Sequence, residues 1–380
     1  MTYRSPTQPT KTTPEQILLI GAGSTRENRW DIVHSLEELS NLTHTAGGHV
    51  VEHLVQMRPR LDPATLIGTG KVIEIAEICR QYDIDLIIFD KELSAAQIRN
   101  IEKITGVRTI DRTMLILDIF AKHARTKEAK LQVELAQLEY RFSRLVGLGL
   151  EYSRLGGGIG TRGPGEKKLE IDRRRIQQRI TSLKGAIKKI EKSKQVQRKG
   201  RRSIPKIAVV GYTNGGKSSL VNALTRSKLV TSDTLFSTLD SNTSVLFLKP
   251  AAKVLISDTV GFLKNLPHDL IASFHATLAE VREADVLLHI VDATCEDIDE
   301  KISTVNQVLE EIGTRTIPTL LVINKIDRLV PEEIERFEAR YPDTLLVSAR
   351  ECKGLDILKE RLYDTFFDSP DGTEPVPRVT

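Results

Sequence analysis

The stretch that most constrains this chain runs from Ile207 to Ser219 and reads IAVVGYTNGGKSS. Four apolar residues, Ile207 to Val210, lead into Gly211. Four positions later Gly216, Lys217 and Ser218 complete the pattern G-x-x-x-x-G-K-[ST]. The apolar run has the character of a strand buried on both faces, and the residues from Ser219 to Leu224 can continue as a helix. Strand, glycine-bearing loop and helix in that order wrap backbone N–H groups around a pair of phosphates, with the helix N-terminus behind them. The cradle is expected from Gly211, Tyr212, Thr213, Asn214, Gly215, Gly216 and Ser219. Lys217 would reach the β- and γ-phosphates, and the Ser218 hydroxyl would ligate Mg²⁺. Such a loop belongs to a doubly wound α/β domain, so the rest of the chain is read against it.

A chain of 380 residues allows two or three domains with cores of their own. No apolar run approaches the roughly 18 residues of a membrane span. Residues 1–13 lack the apolar core of a secretory signal and are expected to be a disordered lead-in, which points to a cytoplasmic protein. Cys79, Cys295 and Cys352 are scattered, with no C-x-x-C pair; reduced, mostly packed thiols are expected, and no structural zinc.

From residue 14 to 111, short apolar runs alternate with helical periods. Strands are expected at 17–20, 49–56, 85–90 and 107–111, and helices at 31–45, 71–82 and 94–105. This is the pattern of a small α/β domain with a largely parallel sheet. Two glycine clusters in it imitate nucleotide loops. Gly21-Ala22-Gly23 follows a strand, but Arg26 stands where a third glycine is needed. Gly68-Thr69-Gly70-Lys71 ends like a P-loop, yet Val72 replaces the Mg²⁺ hydroxyl. Both are expected to be tight turns capping helices.

Residues 112–203 differ in character. Leu131, Leu135, Leu138, Phe142 and Leu145 form one helical seam, and Ile176, Ile180, Leu183, Ile187 and Ile190 form a second. Together they predict an antiparallel helical hairpin. Its connection, residues 156–165, contains six glycines. It is longer and more flexible than a minimal turn needs, and Arg162 within it suits a bulky anion. Residues 160–202 hold sixteen Lys or Arg against four acids, while the rest of the chain is net acidic. That asymmetry is the electrostatic footprint of a polyphosphate partner, most simply folded RNA. Arg162, Lys167, Lys168, Arg173, Arg174, Arg175 and Arg179 are the candidate contacts. A solvated face is the competing reading of the same run.

Residues 204–367 hold the nucleotide domain, and 368–380 a short tail expected to be disordered. Further signals follow apolar strands in the order a guanine-nucleotide site requires. Asp258-Thr259-Val260-Gly261 supplies a carboxylate for Mg²⁺ and an N–H for the γ-phosphate. Asn324-Lys325-Ile326-Asp327 supplies the base reader. The Asp327 carboxylate can accept from guanine N1–H and the N2 amine, whereas adenine offers neither donor. Ser348-Ala349-Arg350 follows the last strand, with the Ala349 N–H available for guanine O6. Thr238 is the threonine best placed to close over Mg²⁺. Phe262 occupies the position where Ras-type GTPases carry a water-orienting glutamine, and a phenyl ring cannot orient water. Slow unaided hydrolysis and a stimulating partner are therefore expected.

The segments GGGIGTRGPGEKKLEIDRR, GYTNGGKSS, TLFSTLD, DTVGFLKNLPHDL, NKID and SAR, in this order behind an α/β domain, closely resemble the HflX family of ribosome-associated GTPases. The resemblance runs from about residue 14 to 366. It implies an N-terminal region that binds the large ribosomal subunit, a hairpin loop directed at ribosomal RNA, and GTP-dependent splitting or rescue of stalled or idle ribosomes under stress. A monomer using GTP, GDP and Mg²⁺ fits it. The hydrophobic residue at Phe262 is similar to that family's. Gly215, Ser219 and Arg350 depart from its commoner alanine, threonine and lysine. From the residues alone, the competing class is an RNA-binding scaffold with a structural guanine nucleotide.

Overall fold

Ile17, Leu18, Leu19 and Ile20 are almost completely buried, as a parallel strand covered on both faces must be. They open the first of two sheets in the computed structural model, which describes residues 14–155, 164–199, 204–225, 235–236, 242–264 and 275–367. The chain divides into two units: Met1–Ile119 with Gln137–Gln178, and Phe120–Ala136 with Arg179–Thr380. The lead-in and the tail lie outside the described residues.

The first unit holds a four-stranded sheet of β1 (Gln16–Ser24), β2 (His49–Arg58), β3 (Leu86–Phe89) and β4 (Arg108–Asp111), in the order β2-β1-β3-β4 and parallel throughout. Helices α1 (Arg29–Thr45), α2 (Thr69–Gln81) and α3 (Ala95–Thr105) connect the strands. Local chemistry sets their ends. The Asn28 side chain accepts from Trp30 N–H at the start of α1, and Ser94 and Gln97 form a capping box on α3. Gly68 begins α2 as expected.

Gly21 and Gly23 correct the sequence reading. They lie inside β1, not in a turn, because α1 packs directly on them. A Cβ at Gly21 would stand 2.7 Å from Ile32, and one at Gly23 2.0 Å from it. The glycines serve close helix–strand approach.

Helix α4 (Arg112–His123) has no counterpart in the sequence reading. Two long helices follow, α5 (Lys127–Leu155) and α6 (Pro164–Lys199). Ile180, Leu183 and Ile187 are buried along α6, as its seam predicts; along α5 Leu135 is buried, but Leu131, Leu138 and Phe142 are only half-buried, and Val133 and Ala136 outside the predicted seam are buried. The contact of Arg179 with Glu134 and that of Arg173 with Phe142 run in opposite senses along the two helices, so the pair is antiparallel. Helix α6 begins at Pro164, inside the range expected to be loop; residues 156–163, Arg162 among them, lie outside the described residues.

The second sheet has the order β10-β9-β8-β5-β7-β6. Its strands are β5 (Lys206–Gly211), β6 (Asn242–Lys249), β7 (Ala252–Asp258), β8 (Val286–Asp292), β9 (Thr319–Asn324) and β10 (Leu345–Val347). All pairs are parallel except β6 with β7. Helices α7 (Lys217–Thr225), α8 (His275–Arg282), α9 (Ile298–Glu311), α10 (Pro331–Arg340) and α11 (Leu355–Phe367) alternate with the strands. One face of the sheet packs Val209, Ile256 and Ile290 against Leu220 of α7 and Leu358 of α11. The carboxyl ends of β5, β7, β8 and β9 thereby converge, with β5 at the centre of the order.

Of the three cysteines only Cys79 is fully buried, which pushes its thiol up to about 11; Cys295 is half-buried and Cys352 exposed. No helix among the described residues is long and apolar enough to cross a membrane.

Candidate functional site

The loop leaving β5 closes on itself through Gly211 and Gly216, at neither of which a side chain fits. Gly216 has φ of +87°, and a Cβ there would meet Asn324 Nδ2 at 2.3 Å. Asn214, the exposed tip, also takes a left-handed φ of +60°. Gly215 is snug, since a Cβ would stand 3.3 Å from the carbonyls of Ile290 and Tyr212. Thr213 is buried and its N–H donates to Phe262 O at 2.9 Å.

Lys217, first residue of α7, is buried, and its ammonium donates to the carbonyls of Gly211 (3.2 Å) and Tyr212 (2.9 Å). Burial pulls its pKa down to about 8; Asp258 opposes the shift and Lys325 adds to it. Below that value the site holds a desolvated cation for which phosphate oxygens are a far better partner than carbonyls.

Ser218 follows, and its hydroxyl donates to Asp258 Oδ2 at 2.5 Å. Asp258 closes β7 and is fully buried. A hydroxyl and a carboxylate, both hard oxygen donors, therefore meet beside the cradle. This fits Mg²⁺, which takes few protein ligands and fills its octahedron with phosphate oxygens and water. No group of three or more His, Cys, Asp or Glu among the described residues could hold a metal unaided. Thr238 lies outside the described residues; of its segment, Leu235 and Phe236 are described. The Phe236 ring is buried and meets Phe120 of α4 edge-on, with centroids 4.5 Å apart.

After Asp258 the backbone turns beneath the loop. The Thr259 hydroxyl donates to Val209 O at 2.6 Å, and Val260 is buried, so this segment offers a ligand its backbone. The Phe262 side chain is only 4% exposed, which makes it a packing residue in this conformation.

At the opposite end of the site, Asn324 is a staple. Its amide donates to Gly215 O at 3.1 Å, and its Oδ1 accepts from Ala349 N–H at 3.0 Å. The Ala349 N–H is the donor that the sequence reading makes available to guanine O6. Here the neighbouring carboxamide takes it and ties the β10 loop to β9. Asp327 accepts from the Ser348 hydroxyl at 2.6 Å, which holds its carboxyl below the usual range. Arg350 is exposed nearby and contributes to that shift.

Lys325, at φ of +70°, donates to Asn214 O (2.8 Å) and to Asp292 Oδ2 (2.6 Å). Asp292 escaped the sequence reading, although an acid closing an apolar parallel strand was its signal. His289 escaped it too. It pairs in register with Val210, is buried, and its Nε2 has no hydrogen-bond partner among the described residues. Burial, with the charge of Lys217 adding to it, pulls its pKa down to about 4.

Along the hairpin, Arg173, Arg174 and Arg175 are exposed. Arg174 pairs with Glu170 one turn back at 3.1 Å. Arg179 forks onto Glu134 at 2.7 and 3.0 Å, so this cation is engaged within the hairpin. For Lys167 and Lys168 the structure gives a place on α6 only.

Three family models match consecutive parts of the chain: "GTP-binding GTPase N-terminal" at residues 33–121, "GTP-binding GTPase Middle Region" at 123–201 and "50S ribosome-binding GTPase" at 206–325. The GTPase HflX of Caldanaerobacter subterraneus subsp. tengcongensis is 46% identical over 357 residues, covering 93% of this chain and 81% of its own length. The GTPase HflX of Escherichia coli is 42% identical over 354 residues, covering 92% and 82%. Among solved structures, the complex of SsGBP with GDP aligns at TM-score 0.48 and 25% identity, over 92% of this chain and 98% of that one.

Proposed function

The chain belongs to the HflX family of ribosome-associated GTPases, and we propose that it binds the large ribosomal subunit in its GTP state and splits or rescues stalled or idle ribosomes under stress. It hydrolyses GTP to GDP and phosphate. The observation that carries the ribosomal reading is the exposed basic face of α6, with Arg173, Arg174, Arg175, Lys188 and Lys189 in solvent on the same polypeptide as the nucleotide loop. Cations held on a rigid helix, with few aromatics between them, suit the phosphate backbone of folded RNA. The protein is taken to act as a cytoplasmic monomer.

In this reading the loop from Gly211 to Ser219 cradles the phosphates and Lys217 neutralises them. Asp327 reads the base, with Lys325 and the Ser348–Arg350 loop around it. Ser218, Asp258 and Thr238 would hold Mg²⁺, which when bound neutralises charge developing on the β- and γ-oxygens. The Gly261 N–H meets the γ-phosphate. Phe262 orients no water, so unaided turnover of about 10⁻⁴ to 10⁻² s⁻¹ is expected, rising when the ribosome completes the site.

Co-sedimentation with large subunits tests the proposal. Binding should be stronger with a non-hydrolysable GTP analogue than with GDP, and the subunits should accelerate hydrolysis. Equal binding in both states, together with tightly held GDP that does not exchange, would instead mark an RNA-binding scaffold with a structural nucleotide. Neutralising Arg173, Arg174 and Arg175 should weaken binding and flatten its salt dependence. An unchanged slope would return the cluster to a solvated face.

A further inference from the structure

A phosphate loop needs only backbone N–H groups at its second position, yet this chain places a tyrosine there. Tyr212 reaches out of the loop, and its Oη accepts from the backbone N–H of Lys264 at 2.8 Å. Lys264 stands three residues beyond Gly261, in the segment that must respond to the γ-phosphate. The two strands of chain are also bridged directly. Phe262 N–H donates to Gly211 O at 3.1 Å, and Thr213 N–H donates to Phe262 O at 2.9 Å. The first turn of α9 braces the arrangement. The Lys301 ammonium sits 5.5 Å from the Tyr212 ring centroid, and Glu300 pairs with the Lys264 ammonium.

These bonds hold Gly261 against the loop. A Cβ at Gly261 would come within 2.8 Å of Thr213 Cα and 2.9 Å of Lys217 Nζ. Lys217 itself is turned onto the carbonyls of Gly211 and Tyr212. In the proposed function a γ-phosphate would contact both the Lys217 ammonium and the Gly261 N–H, and the close approach of the two segments leaves it little room there. A β-phosphate makes no such demand on Gly261.

We propose that Tyr212 is a positioning residue whose hydroxyl latches the Gly261–Lys264 segment in its γ-phosphate-free position, so that it sets the preference of the free protein between GDP and GTP. The hydroxyl bond is made in one state and lost in the other. Only such a differential contact can bias the equilibrium. Its loss changes the ratio of affinities by about two- to tenfold, the range for one net hydrogen bond. The proposal rests on the phosphate contacts proposed above for Lys217 and Gly261 and is independent of ribosome binding.

The test is Tyr212→Phe in the full chain, which removes the hydroxyl and keeps the ring beside Lys301. Titration with GDP and with a non-hydrolysable GTP analogue, in the presence of Mg²⁺ and without ribosomes, should show the ratio of analogue affinity to GDP affinity about two- to tenfold higher than in the parent. A parallel loss for both nucleotides, or no change in either, would overturn the proposal. Amide exchange at Lys264 gives a second readout that a packing role would not move. In the parent this amide should be protected with GDP and exchange faster with the analogue. Equal protection in both states would also overturn it.

Discussion

Two sheets in this molecule, one parallel and one parallel but for its β6 edge, turn charged side chains toward the carboxyl ends of their parallel strands, and they use them in opposite ways. Beyond β5, β7 and β9 the charges are left facing a cradle. The Lys217 ammonium donates to the carbonyls of Gly211 and Tyr212, Asp258 accepts from the Ser218 hydroxyl, and Asp327 keeps its carboxylate at the rim. Beyond β3 and β4 the charges consume one another. Arg112 is buried between Glu38 and Asp90, and Asp111, also buried, is held by Tyr140 and Arg144. The first arrangement has electrostatic work left for a ligand; the second has spent it on the fold. Motif fragments such as Gly21-Ala22-Gly23 do not separate the two cases, but the state of the charges does.

Four substitutions or titrations can break or sharpen this contrast. The largest effect is expected from Asp327→Asn. Guanine N1–H and N2–H lose their acceptor, so GTP affinity should fall by about 10³-fold or more, while xanthosine triphosphate gains. Competition binding with the two nucleotides measures it, and folding stability should stay unchanged. Asp111→Ala should do the reverse. It leaves the Arg144 charge without its buried partner and should cost about 3–5 kcal/mol in denaturant unfolding of the first unit, with GDP affinity unmoved. A nucleotide phenotype there would end the contrast.

Acid comes next. His289 titrates near 6.5 when unfolded but near 4 when folded, so between those values only the unfolded chain takes up the proton. Stability should therefore decline as pH falls through that window, by about 3 kcal/mol once it is crossed. His289→Leu should flatten that acid limb in thermal melts. The smallest effect lies on the alkaline side. Lys217 is neutral above about 8 in the free protein but charged against phosphates. Nucleotide binding should take up a proton there, and affinity should drop toward tenfold for each pH unit above 8. Calorimetry in buffers of different ionisation enthalpy reads that proton directly.

Much of the second unit was legible because its signals are short and sit where strands end. Strand β5, the loop and α7 follow from one thirteen-residue stretch, and the groups at Asp258, Asn324 and Ser348 each close an apolar run. What escaped falls into three physical classes. Helix α4 was invisible because Leu115, Ile116, Leu117, Ile119 and Phe120 are all buried. A helix apolar on nearly every side shows no 3.6-residue stripe. The glycines of β1 were misread because close helix approach and tight turning use the same residue. The tie between Asn324 and Ala349 was missed because a carboxamide within reach of both loop and strand answers to its neighbours, and no spacing rule reports neighbours that distant in sequence.

Asp111 carries a last consequence. It ends β4, yet its oxygens take the N–H groups of Leu93 and Met114 as well as Tyr140 and Arg144 of α5. The sheet thus ends in sequence 33 residues before the last of those bonds is made. A stop codon placed after residue 111, where the strand pattern stops, would keep every strand of that sheet and still remove three of those four donors. The shortest piece able to close that account extends through Arg144.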